Sequence, residues 1–334
     1  MNDRAPSLMR RVLAVSMLTA LILAVSIVLG ISLGSTGAGA DFWSWALGKS
    51  KDPVLEAIVW NIRLPRVMMA ALVGAVLSLG GLVFQALLRN PLAEPYILGI
   101  SGGSAVGAII GILMGLSRFP GVSITAFAGS MATLALILML ASERSILKKD
   151  SLLLSGVMVN AFCTAVIMFL VSMTQDSRLH NIIYWLMGDL ASADISQVRI
   201  IGLIVLPCVA LIFGLSHAMN LLLMGKEMAR TMGVNIAVVT LTLLTVTSLM
   251  VSVTVSACGL LGFVGLVIPH LLRLILGPDH RVLAPACIFG GGAYMVLCDV
   301  LARVLPQQGE MPAGVITAMI GAPLFVFLLK RSGS

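Results

Sequence analysis

Ten long apolar runs, separated by short polar stretches, decide what this chain can fold into. They lie at about 12–33, 67–88, 96–116, 122–142, 152–174, 196–216, 235–258, 262–276, 283–304 and 312–329. A helix that crosses a bilayer needs roughly 20 apolar residues. Lipid offers no partner to a backbone amide, so a continuous apolar run must close its own hydrogen bonds as a helix. A membrane β-barrel would instead show alternating segments of about ten residues. The charge content agrees, since only 10% of the 334 residues are charged and 59% are hydrophobic. Soluble domains carry about 25% charged residues. The predicted fold class is therefore all-α integral membrane, with about ten transmembrane helices in one transmembrane domain spanning 1–334.

The formal net charge of +7 would suggest nucleic acid in a soluble chain. Here the basic residues cluster between apolar runs, where they report topology, and the partner they imply is the lipid surface. With Arg4, Arg10 and Arg11 inside, the 143–151 loop, the 217–234 loop, Arg281 and the C-terminal Lys330-Arg331 also fall inside, as the positive-inside rule asks. The rule is broken outside by Arg63, Arg66, Arg118, Arg178 and Arg303, among others. Both termini are expected in the cytoplasm. Ala38-Gly39-Ala40 resembles a signal-peptide cleavage site, but the apolar core from Val12 to Leu33 exceeds the usual 7–15 residues. A retained first helix is expected.

Chemistry-bearing patterns are scarce. The five cysteines sit inside apolar runs without CxxC spacing, and the four histidines are scattered, so no metal site is expected. No nucleophile–base constellation is present. Gly225-Lys226 is followed by Glu227 rather than Ser or Thr, so it is not a Walker A motif. The chain is expected not to be an enzyme. Gly99, Gly103, Gly107, Gly111 and Gly115 recur every four residues, which predicts a smooth helical stripe for close backbone packing. Asn90-Pro91, Glu94-Pro95 and Pro269 are expected to interrupt helices at membrane depth, which survives only inside protein or beside a water-filled path. Glu94 reads as a helix cap or a buried pair. Asp299 lies within a run, with Arg303 four residues on, and the two are expected to form a structural ion pair.

Four stretches occur in a fixed order. Arg63-Leu64-Pro65-Arg66 leads through Gly74, Gly80-Gly81, Gln85 and Asn90-Pro91-Leu92-Ala93-Glu94-Pro95 to Leu98-Gly99-Ile100-Ser101-Gly102-Gly103. Tyr184-Trp185-Leu186-Met187-Gly188 follows, then Gly225-Lys226-Glu227-Met228-Ala229-Arg230-Thr231-Met232-Gly233-Val234. The last runs from Gly262-Phe263-Val264-Gly265 through Pro269-His270, Asp279-His280-Arg281, Asp299, Arg303 and Glu310-Met311-Pro312-Ala313-Gly314 to Gly321-Ala322-Pro323. In this order they resemble the FecCD family of ABC importer permeases, over about residues 60–330. Met311 stands where that family commonly has Leu.

The resemblance implies a cobalamin-permease-like fold of the type II ABC importers. It implies a homodimer around a central path, two ATP-binding cassette subunits below, and a periplasmic or lipid-anchored binding protein above. The cargo class implied is a ferric siderophore, haem or cobalamin. ATP and its magnesium ion would belong to the partner ATPase, with no cofactor in this chain. Arg63, Arg66 and Arg303 would form a basic rim for acidic residues of the binding protein; the alternative is side chains snorkelling to the headgroups. The 217–234 segment would be the cytoplasmic coupling loop, with Met224, Gly225, Lys226, Glu227, Met228, Ala229, Arg230, Met232 and Gly233 engaging the ATPase. Met224, Met228 and Met232, at i, i+4 and i+8, are expected to share one adaptable docking face. Lys149, Asp150 and Ser151 would contribute to a cytoplasmic gate. Two rival readings are an ion-coupled secondary transporter, which would place relays in mid-membrane, and a membrane-embedded enzyme, which would need convergent polar groups.

Overall fold

The structure is a computed structural model that describes residues 8–34, 39–49, 52–142, 149–174, 176–306 and 309–332. In chain order, α1 (Leu8–Ser32), α2 (Gly39–Ala46) and α3 (Pro53–Ile58) lead through a π turn at Val59–Arg63 into α4 (Leu64–Leu88). Next come α5 (Ile100–Leu113), α6 (Ser123–Ser142), α7 (Lys149–Ser172), α8 (Asp176–Met187) and α9 (Ile195–Gly214). Two short helices, α10 (Ser216–Met224) and α11 (Lys226–Thr231), precede α12 (Ile236–Cys258), α13 (Val264–Leu276), α14 (His280–Val304) and α15 (Ala313–Ser332). The ten apolar runs correspond to α1, α4–α7, α9 and α12–α15. Among the described residues, seven helical spans are long and apolar enough to cross a membrane, while α5, α13 and the apolar part of α15, Ala313–Leu328, are shorter.

The outermost helices are built for lipid. On α1, Met9, Leu13, Met17 and Leu21 are exposed, while the buried positions are Thr19, Ser26, Gly30 and Ser32. Small residues face protein because no hydrophobic force joins helices within lipid, so close van der Waals contact must do it. Their hydroxyls are satisfied within the helix: Thr19 donates to the Val15 carbonyl at 2.8 Å and Ser26 to that of Ile22 at 2.9 Å. The core centres on α4 and α14. Val67, Met69, Leu79, Leu82 and Phe84 of α4 and Met295 and Val296 of α14 are fully buried.

Glycine pairs set the spacing around α4. A Cβ on Gly74 would strike the carbonyl of Gly291 in α14, and one on Gly81 the carbonyl of Gly265 in α13. The predicted five-glycine stripe is shorter than expected. Only Gly103, Gly107 and Gly111 lie on α5, where they face Thr133, Thr125 and Val122 of the α6 segment. Gly99 and Gly115 adopt φ +68° and +74° and bound the helix instead.

Pro269 does not interrupt α13, which continues to Leu276. The break lies upstream at 259–263, directly before Gly265, which packs on Gly81, some 25 Å along α4 from Leu64 at about 1.5 Å per residue. Irregular backbone at that depth requires partners, and the second break supplies them. Glu94 Oε1 accepts the Phe263 N–H at 2.9 Å. The Tyr96 hydroxyl accepts from the Leu261 N–H and donates to the Leu261 carbonyl, both at 3.2 Å. Proline lacks an N–H, so Pro269 leaves the Gly265 carbonyl without its helical donor. Gln85 Nε2 approaches that carbonyl at 3.5 Å. Glu94 thus caps a distant helix rather than its own.

Candidate functional sites at the two ends of the bundle

Long-range hydrogen bonds sort the helix ends into two groups. At one end lie the C-terminus of α1, the start of α4 and the C-terminus of α14. At the other lie α10, the start of α14, the end of α13 and the first turn of α1, where the Arg11 guanidinium reaches the Leu276 carbonyl.

At the first end, Arg63, Arg66 and Arg303 converge as expected, but they do not make an exposed rim. Their exposures are 4%, 4% and 3%. The reason is that their heads are occupied. Arg63 Nη1 donates to the carbonyls of Ile31 at 2.9 Å and Ser32 at 3.1 Å. Arg303 donates to the carbonyls of Leu33 and Gly30, each at 3.0 Å. The last carbonyls of a helix have no internal donor, and a cation there also meets the negative end of the helix dipole. Two guanidiniums therefore cap α1. A Cβ on Gly34 would meet the Arg63 guanidinium carbon at 2.8 Å, so a side chain there would displace the cap.

Arg66 links the remaining parts. Its Nε lies 2.8 Å from Asp299 Oδ1, and its Nη1 pairs with Glu310. Arg303 Nε lies 3.1 Å from Asp299 Oδ2. That contact is coulombic, because the N–H is directed at the Asp299 backbone carbonyl, 3.3 Å away. The pair expected from the i, i+4 spacing is therefore one side of a larger cluster whose closer partner is Arg66, and Glu310 was not foreseen as a member. Three guanidiniums against two carboxylates leave the cluster net positive. The three arginines and Glu310 line a cavity of about 230 Å³ with Gly34, Ile58 and Ile62, and Asp299 lies behind them.

The opposite end carries the 217–234 segment. The sequence suggests one amphipathic stretch over Met224–Met232, but the structure divides it. Gly225 adopts φ +121° and ψ 153°, open to glycine alone, and it ends α10 and begins α11. Ala229 is fully buried, whereas Met224, Met228 and Met232 are 67%, 48% and 61% exposed. Glu227 and Arg230 face solvent with a 3.8 Å contact between them, worth little at such exposure. Gly233, at φ +82°, turns the chain toward α12. Lys226 begins α11.

Sequence reading missed the polar contacts behind this loop. Asn220 of α10 bonds Asp279 and His280 at the start of α14. Asp279 also holds Arg281, and that contact first, then Asn220, keeps its carboxyl well below the usual carboxylate range. Lys149, Asp150 and Ser151 form the first turn of α7 rather than a loop; Lys148 lies outside the described residues.

Comparison with known proteins agrees with this architecture. The FecCD transport family matches residues 21–331. An uncharacterised ABC transporter permease protein of Bacillus subtilis, YvrB, is 38% identical over 324 residues, covering 92% of this chain and 91% of that one. The vitamin B12 import system permease protein BtuC of Salmonella arizonae is 41% identical over 279 residues, covering 83% and 84%. A solved structure described as an inward-facing conformation of a metal-chelate type ABC transporter superposes with a TM-score of 0.86 at 30% identity, covering 95% of this chain and 99% of that one. With the family matching residues 21–331 and relatives 38–41% identical over most of its length, this chain belongs to the FecCD transport family and is an ABC importer permease.

Proposed function

We propose that this chain forms, with a second copy of itself, the membrane path of an importer for cobalamin or an iron chelate such as a ferric siderophore or haem. The observation that carries the cargo class is near full-length similarity to permeases whose names specify vitamin B12 and to a metal-chelate transporter. ATP and magnesium are bound by two copies of a separate ATPase. The chain sits in the bacterial inner membrane with both termini in the cytoplasm. The Asn220 end is then cytoplasmic, and the Arg66 end faces the binding protein.

Two features support these assignments. Three large apolar side chains, Met224, Met228 and Met232, stand exposed on a short polar segment, as a docking surface for an ATPase requires. At the other end, the net positive cavity of Arg63, Arg66 and Arg303 suits acidic side chains of a binding protein, which would compete with Glu310 for Arg66. Lys149, Asp150 and Ser151, at the start of α7, are assigned to the cytoplasmic gate.

The test is uptake of a ferric siderophore, haem and cobalamin in a strain lacking this gene and any second permease. Loss of one cargo, restored by the wild-type gene only beside an ATPase with an intact Walker motif, is the expected result. Unchanged uptake of all three overturns the cargo class. For docking, binding-protein affinity should weaken as salt rises from about 50 to 500 mM and tighten in Glu310→Gln. An affinity independent of both removes the arginine cavity from the interface.

A further inference from the structure

Helix α10, the first part of the 217–234 segment, is fastened to α14 by a small set of directional bonds. Asn220 Nδ2 donates to Asp279 Oδ1 at 2.7 Å. Asn220 Oδ1 accepts the backbone N–H of His280 at 2.9 Å and faces its Nδ1 at 2.8 Å. An acceptor opposite Nδ1 requires the imidazole proton on that nitrogen. The donor and acceptor groups of the Asn220 amide are thus both engaged with two consecutive residues of another element. Asp279 is in turn the N-cap of α14, accepting the Arg281 N–H at 3.0 Å, and His280 is fully buried. Arg89, at the end of α4, donates to the Leu222 carbonyl of the same short helix at 2.5 Å.

The far end of α14 is held just as firmly. Asp299 and Arg303 join it to Arg66 of α4 and to the last carbonyls of α1. From Asp279 to Arg303 the helix covers about 36 Å at roughly 1.5 Å per residue. One continuous helix therefore has a polar clamp on the 217–234 segment at one end and the guanidinium cluster at the other. Dispersion between apolar side chains is non-directional, whereas a hydrogen bond fixes the distance and angle between two particular groups. An amide engaged on both sides fixes the relative position of α10 and α14.

We propose that Asn220 is a positioning residue for transport: its bonds to Asp279 and His280 make α14 move with α10, so that ATP-driven displacement of the loop reaches the guanidinium cluster. This rests on the coupling assignment for 217–234. Without the clamp, the ATPase moves the loop and α14 lags behind.

The test is cargo transported per ATP hydrolysed by the assembled importer in proteoliposomes. Asn220→Asp sets a carboxylate against the Asp279 carboxylate, and a loss of at least tenfold in that ratio is expected. Hydrolysis by the assembled complex should stay within twofold of wild type, because the ATPase still moves the loop. A purely structural role would lower assembly and hydrolysis together with transport and leave the ratio unchanged. A ratio within twofold of wild type for Asn220→Asp overturns the proposal. If Asn220→Asp does not assemble, Asn220→Ala takes its place, with a threefold loss expected and a wild-type ratio overturning. Met228→Glu separates the two layers of argument. If it blocks ATPase docking while the Asn220 variants transport normally, the clamp alone fails; if it assembles and transports as wild type, the coupling assignment fails and the clamp with it.

Discussion

Replacing Asp299 with asparagine should destabilise the permease by about 3 kcal/mol, roughly a hundredfold in its folding equilibrium. The side chain is fully buried between two guanidiniums whose Nε atoms are 2.8 and 3.1 Å away. Asparagine keeps the shape and an Oδ1 acceptor for Arg66, so the change is chiefly one of charge. At an effective dielectric of about 20, a unit pair near 4 Å is worth about 4 kcal/mol. Arg66 retains Glu310, which covers part of its loss. Arg303 retains the carbonyl dipoles of α1 and the Asp299 backbone carbonyl but no carboxylate in direct contact among the described residues. Relief of the desolvation of Asp299 itself offsets some of the remainder, leaving a value near the lower end of the 3–5 kcal/mol range for breaking a buried pair. Unfolding by SDS titration in mixed micelles, followed by tryptophan fluorescence, measures it. The double variant with Arg303→Gln should cost less than the sum of the two singles by at least 1 kcal/mol, as expected of groups in one cluster. A loss below about 1 kcal/mol in Asp299→Asn, or strict additivity in the double variant, would refute the cluster as a source of stability.

Further outcomes follow from the packing and the caps. Gly81→Ala should lose most folded protein in the same titration, because its Cβ meets the Gly265 backbone, while Gly80→Ala, which meets only Val251 and Pro95 side chains at 3.0–3.4 Å, should be tolerated; equal stability of the two would sink the close-approach argument. Arg63→Gln should loosen the last turn of α1, seen as faster amide exchange at Ile31 and Ser32, with unchanged exchange counting against the guanidinium cap. The lowered carboxyl of Asp279 contributes stability above its unfolded value near 3.9 and loses it as pH falls through the lower folded value. The stability gap between wild type and Asp279→Asn should therefore be flat from pH 8 to 5 and close below about pH 4. A gap that changes between pH 5 and 8 would show that another group titrates there.

The ten helices were legible because their signal is local: an apolar run long enough to span lipid is visible without knowing its neighbours. Boundaries were less so. Run 96–116 shrank to Ile100–Leu113 because Gly99 and Gly115 take positive φ, and a glycine's φ is invisible in a spacing pattern. Pro269 looked like a break, yet the helix tolerates it because Gln85, from a different helix, approaches the carbonyl it leaves unpaired. Met224, Met228 and Met232 obeyed helical spacing, but Gly225 between them had already cost the helix its continuity. The arginines were expected together at one end of the bundle, where they do converge, but with the wrong exposure, since burial depends on what else arrives there.

What stayed hidden shares one property. Arg66 meets Asp299 across 233 positions, and Asn220 meets Asp279 across 59. In a soluble chain, a polar side chain without a local partner can be left to water. In lipid that option is closed; a buried Ser or Thr can turn to a carbonyl of its own helix, whereas a buried charge must meet a partner that the fold brings to it. Asp299 could have been read in this way: one carboxylate within an apolar run, beside three arginines that break the positive-inside pattern, is too little charge for a single i, i+4 pair to explain. The same reasoning applies to Asn220 and His280, polar residues at the edge of apolar helices whose only economical solution is each other. The residues that fasten the two ends of α14 are thus those whose presence local rules left unexplained.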